Sequence, residues 1–119
     1  MPRLVAAILA AVAVAGTGCG SAPVGQGCRR AAPPTCPSPA PGYAANVAPL
    51  VTRLCRPCHT QGGVESTAAL DSYEQVRARG ADIQVRLESC LMPPADQPQP
   101  TVAEGATLLT WLVCGAQND

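Results

Sequence analysis

Seven cysteines in 119 residues, set against no phenylalanine at all, constrain this chain more than any other feature. Aromatic residues make up only 3%. A domain of fewer than about 80 residues built without Phe has little large apolar surface with which to close a core. Cross-links, a bound group, or both are expected to fill and staple it, and cysteine chemistry supplies either. The length allows one domain. Formal net charge is +0, and all eight basic residues are arginine. That balance gives no footing for a nucleic-acid groove.

The start of the chain bears on its compartment. Met1-Pro2-Arg3 is a short positive head, Leu4 to Ala15 is apolar and uncharged, and Gly16-Thr17-Gly18-Cys19 follows. An apolar run of 12 residues falls short of the roughly 20 that span a bilayer, so residues 1–18 read as a signal peptide. Two cleavage sites compete. Ala13-Val14-Ala15 is an ordinary A-x-A site, whereas Gly18-Cys19 resembles a bacterial lipoprotein signal, with Gly16 where Leu is usual. Cysteine parity favours the second: if Cys55 and Cys58 are used elsewhere, lipidating Cys19 leaves an even four. The expectation is an exported, periplasmic protein held to a membrane through lipid on Cys19. Gly20 rather than Asp after that Cys fits, by analogy with known sorting signals, the outer membrane.

Residues 19–42 are rich in Pro, Gly, Ala and Ser, with Pro at 23, 33, 34, 37, 39 and 41. No period runs through them, so they are expected to form a disordered tether, partly polyproline-like. The folded domain is expected over 43–119. Val47, Leu50, Val51 and Leu54 share one face of a helix that Pro57 discourages from continuing. Leu70, Tyr73 and Val76 suggest a second helix starting near Asp71 or Ser72, and Ile83, Leu87 and Cys90 a third. Leu91 to Pro100 holds four prolines and is expected to be irregular. Thr101 with Glu104 forms a capping box for a last helix whose face carries Gly105, Leu108, Leu109 and Leu112, with Gly115 as its stop. No strand pattern is present. The fold class expected is all-α.

Cys55-Arg56-Pro57-Cys58-His59 is C-x-x-C-H, the c-type haem attachment sequence. Two thiols at this spacing reach two vinyl-derived carbons on one side of a porphyrin, and the adjacent imidazole ligates the iron. A thioredoxin-like pair would need a βαβ context, which is not visible. A structural zinc site would need a second ligand pair, yet the other cysteines are scattered and His59 is the only His. The second axial ligand is then restricted. There is no Lys, and once Met1 leaves with the signal peptide Met92 is the one methionine remaining. It sits in Leu91-Met92-Pro93-Pro94, a loop stiffened by two prolines. The alternative for Met92 is gap-filling in the core.

With these motifs, Tyr43–Asp119 resembles a class I cytochrome c domain, in particular the small haem domains of bacterial exported lipoproteins. The resemblance implies one covalent haem c on Cys55 and Cys58, with His59 and Met92 as iron ligands. It also implies a first and last helix that cross, with Gly105, Leu108 and Trp111 on the last-helix side. The function implied is one-electron transfer between redox partner proteins, without catalysis. Two alternatives remain: a haem-based sensor or ligand-binding module, should Met92 not ligate, and an electron-accepting subunit of a larger oxidoreductase.

Four thiols allow three pairings. Cys28 and Cys36 are close in a loose segment, so Cys28–Cys36 closes easily. In the cytochrome c arrangement Cys90 and Cys114 lie at helix ends on one side of the haem, which makes Cys90–Cys114 the other expected bridge. The leader makes a prediction of its own: mass spectrometry of the mature N-terminus should find a lipidated Cys19, and a free amine at Gly16 would show ordinary cleavage instead.

Overall fold

A computed structural model describes residues 30–119. Among them every regular element is helical and there is no strand. A π-helical turn, Tyr43–Val47, runs directly into α1, Ala48–Leu54. Pro49 occupies the first turn of α1, where a missing N–H leaves no bond unmade. A 3₁₀ turn, Ser66–Ala68, precedes α2, Tyr73–Ala78; α3 spans Gly80–Glu88 and α4 spans Val102–Val113. No helix among the described residues is long and apolar enough to cross a membrane.

The helix starts follow local chemistry. Thr101 accepts from the Glu104 N–H while the Glu104 carboxylate accepts from the Thr101 N–H, the reciprocal capping box expected there. Ser72 and Gln75 form a second box at α2, which settles the start on Ser72 and releases Asp71 for other work. Gly115 closes α4 at φ 103°, a conformation that costs glycine little. The third helix is shorter than its apolar spacing suggests. It stops at Glu88, and Cys90 takes φ 57°, left-handed backbone that non-glycine residues seldom adopt.

Val47, Val51, Leu54, Leu70, Val76, Leu87, Leu108, Leu109 and Trp111 make the core. The last helix packs on α3 and on the π-helical turn. Trp111, 1% exposed, meets Tyr43 at 5.6 Å between ring centroids. Gly105 differs from expectation: only Arg30 atoms lie within 4 Å of where its Cβ would be, with Cδ at 3.1 Å. Its small size admits the Arg30 side chain; it does not admit the first helix.

That contact corrects the expected tether. Residues 30–42 have no helix or strand, but they are fastened to the domain. The Arg30 N–H donates to the Glu88 carbonyl, Ala32 packs against the core, and Cys36 is bonded to Cys114, with Cα atoms 5.6 Å apart. The Cys36–Cys114 bond replaces both expected pairings, Cys28–Cys36 and Cys90–Cys114. Local closure of Cys28–Cys36 assumed a loose chain, whereas the strap carries Cys36 to the end of α4. Cys90 is disulfide-bonded as well, but Cys114 is not its partner. Residues 1–29, with the expected signal peptide, Cys19 and Cys28, lie outside the described residues.

The bond joins residues 78 apart in sequence, a closure worth roughly 4.5 kcal/mol in the chain-entropy model. Replacing Cys36 and Cys114 together by Ser should lower the melting temperature by about 10 °C or more. A peptide map without reduction should recover the two joined segments, and recovery of Cys36 joined to Cys28 would reinstate the local loop.

Candidate functional site

A cavity of about 500 Å³ lies within the helices, inside the range typical of small-molecule and cofactor sites. Its wall includes Val47, Val51 and Leu54 from the first helical segment, Leu70 and Val76, Ile83 and Leu87 of α3, and Leu108 and Trp111 of α4. Cys55, Cys58, His59 and Met92 all line it. The four residues singled out in the sequence therefore border one apolar space.

The Cys-x-x-Cys-His turn is wound off the end of α1. The Cys55 and Arg56 N–H groups donate to the Val51 carbonyl at 2.9 and 3.0 Å, and the Cys58 and His59 N–H groups donate to the Cys55 carbonyl at 3.2 and 2.9 Å. Further along, the Glu65 N–H donates to the Cys58 carbonyl and the Leu70 N–H to the His59 carbonyl. The imidazole is oriented too. His59 Nδ1 lies 3.0 Å from the Ala68 carbonyl. A carbonyl only accepts, so Nδ1 carries the proton and Nε2 keeps its lone pair for a metal.

Asp71 holds this turn from outside, a role the sequence did not suggest. It accepts from the Thr60 hydroxyl at 2.6 Å, the Gln61 N–H at 2.7 Å and Arg56 Nε at 3.1 Å. Arg56 lies within the motif, and Thr60 and Gln61 directly follow it. The Thr60 and Gln61 bonds, helped by Arg56, hold the Asp71 carboxyl below the usual range. Its only sequence signal was a carboxylate just ahead of a helix start, which reads equally as a cap.

The sulfurs are in different states. Cys55 is the free thiol among the described residues, and burial pushes it up to about 11. Cys58 is disulfide-bonded, so holding a thioether would first require its release as a thiol. Once Cys58 was released, the residues on the wall would be of the types a c-type haem uses: two cysteines, one oriented imidazole and one thioether. Among the described residues no group of three or more His, Cys, Asp or Glu is placed to hold a metal ion. Cys36, Cys90 and Cys114 take no part in the wall.

Met92 is held from its N-terminal side, where the Leu91 and Met92 N–H groups both donate to the Arg86 carbonyl. Three arginines also contribute to the wall. Arg53 pairs with Glu104 and Arg86 with Asp82, while Arg79 donates to the Thr67 carbonyl. No family model, curated protein or solved structure matches the chain.

The Asp71 clamp carries a pH prediction. The folded-state value lies below the unfolded one of about 3.9. Its stabilisation is therefore complete above that value and is lost as pH falls through the lowered one. Asp71→Asn should be less stable than the wild type at pH 6 and nearly equal to it at pH 2, in urea titrations followed by Trp111 fluorescence. A constant difference across that span would show that the charge is not what holds the turn.

Proposed function

We propose that the protein is a single-haem c-type cytochrome, exported and lipid-anchored, that carries one electron at a time between partner proteins. The observation that carries this reading is the convergence of Cys55, Cys58, His59 and Met92 on one apolar cavity. Its volume adds weight. About 500 Å³ lies within the range of small-molecule and cofactor pockets. An apolar, flat group is the kind of occupant such walls suit.

On this reading Cys55 and Cys58 would hold the group by thioethers, and His59 Nε2 and Met92 Sδ would ligate its iron. Bound there, haem supplies a one-electron iron couple. The Ala68 carbonyl fixes the His59 tautomer and strengthens its imidazole as a donor. The leucines, valines and Trp111 of the wall would give the group apolar surroundings, and these together with a thioether ligand would raise the reduction potential. With His59 and Met92 both serving as ligands, the group would suit a carrier more than an enzyme.

Expression in a host with a c-type maturation system tests this directly. The denatured protein should keep haem on a gel, and Cys58→Ala should lose that stain or retain a single thioether. The oxidised protein should show the weak near-infrared sulfur-to-iron band, and Met92→Ala should abolish it. Haem that extracts freely from the wild type would refute the cytochrome reading, whereas covalent haem that binds carbon monoxide readily would favour a ligand-binding module.

A further inference from the structure

Pro93 and Pro94 follow Met92 and are both buried. Proline offers a carbonyl but no N–H, so this stretch depends on donors from elsewhere. The Gln97 N–H donates to the Pro94 carbonyl at 2.9 Å, and the Gln99 side chain provides the rest. Its Nε2 lies 3.1 Å from the Pro93 carbonyl, 2.7 Å from that of Pro94 and 3.0 Å from that of Gln97. The other end of the same amide, Oε1, accepts from the Arg30 guanidinium at 3.1 Å. These partners fix the amide's orientation, because carbonyls only accept and a guanidinium only donates.

Arg30 is itself held at three points. Its guanidinium donates to the Leu87 carbonyl at 3.3 Å, and its backbone N–H to that of Glu88 at 3.3 Å. Its Cδ occupies the space beside Gly105 that a side chain on α4 would fill. Met92 is thus gripped on one side through the Arg86 carbonyl at the end of α3. On the other side a relay runs from the strap through Arg30 and Gln99 to the proline carbonyls.

We propose that Gln99, oriented by Arg30, is the positioning residue for Met92: it holds the Met92-Pro93-Pro94 segment so that the thioether stays on the cavity wall. The role of Met92 as an iron ligand rests on the cytochrome reading; the bracing of its loop does not.

Gln99→Glu is the discriminating variant. A carboxylate keeps the length and still accepts from Arg30, but it brings no N–H to the proline carbonyls. In the haem-loaded protein the equilibrium for release of Met92, read from the near-infrared band against temperature and pH, should shift toward release on the order of fivefold. The midpoint potential should fall, while haem content and helical circular dichroism stay as in the wild type. Gln99→Leu, which lacks both polar ends, is measured alongside so that the outcome does not hang on one variant folding. A second readout needs no haem. In protein labelled with methyl-¹³C methionine, the Met92 resonance, assigned by its loss in Met92→Leu, should move toward the position of free methionine in both Gln99 variants. Wild-type band stability together with an unmoved methyl resonance would overturn the proposal. Should the wild type take up no haem, the cytochrome reading falls and the methyl resonance alone decides this one.

Discussion

Tyr43, Tyr73 and Trp111 are all the aromatic residues this chain has, and they meet. Their ring centroids lie 5.3, 5.6 and 6.3 Å apart, two of the pairs edge-on, in the range where each pair adds about 0.5–1.5 kcal/mol beyond burial. Each ring comes from a different element: the π-helical turn, the start of α2, and α4. Two of the polar ends are satisfied by the C-terminal tail, Tyr73 Oη donating to the Ala116 carbonyl and Trp111 Nε1 to that of Gln117. Because the π-helical turn is continuous with α1, this contact fixes where the Cys-x-x-Cys-His turn begins. Trp111 also forms part of the cavity wall. A chain without Phe has therefore spent its aromatic surface on the joint from which the site is hung.

The irregular parts are held by side chains. Arg56 and Asp71 fasten the motif turn, Arg30 and Gln99 the proline loop, and Arg79 the 3₁₀ turn through the Thr67 carbonyl. Arginine suits this work, since its planar fork donates in several directions while remaining charged. The ion pairs are partly exposed and contribute little stability one by one. What they fix is the course of loops that have few backbone bonds of their own.

Features governed by neighbouring residues were legible in the sequence. Both ends of α4, the position of α1 and the irregular stretch after α3 follow from capping chemistry, apolar spacing and proline, and so does the Cys55–His59 turn. Met92 could be singled out because composition left so few candidates. Features set by residues far apart were not legible. A Pro- and Ala-rich segment reads as a tether unless something distant grips it, and here the grip comes from Glu88, Leu87, Gln99 and Cys114. The same contact redirects the cysteine pairing, where short separation had favoured Cys28–Cys36 and the cytochrome c resemblance Cys90–Cys114. Asp71 and Gln99 went unnoticed because a carboxylate beside a helix start and an amide in a loop have many ordinary uses, and only the fold shows which groups each one faces.

The cysteine states place a further condition on the cytochrome reading. A thioether is made from a thiol, and sulfur reacts as its thiolate. In the closed fold burial pushes Cys55 up to about 11, which disfavours its thiolate at neutral pH. Cys58 is not a thiol there at all. Covalent attachment therefore requires a chain that is still open at the Cys55–His59 turn, with Cys58 reduced. The Cys36–Cys114 bond has the opposite requirement. Its sulfurs meet only when the strap already lies along the domain and α4 is in place, since a disulfide demands Cα atoms within about 7 Å. Neither of its cysteines lines the cavity, so forming this bond last would lock the strap, and with it Arg30 and Gln99, after the Cys55–His59 turn has closed.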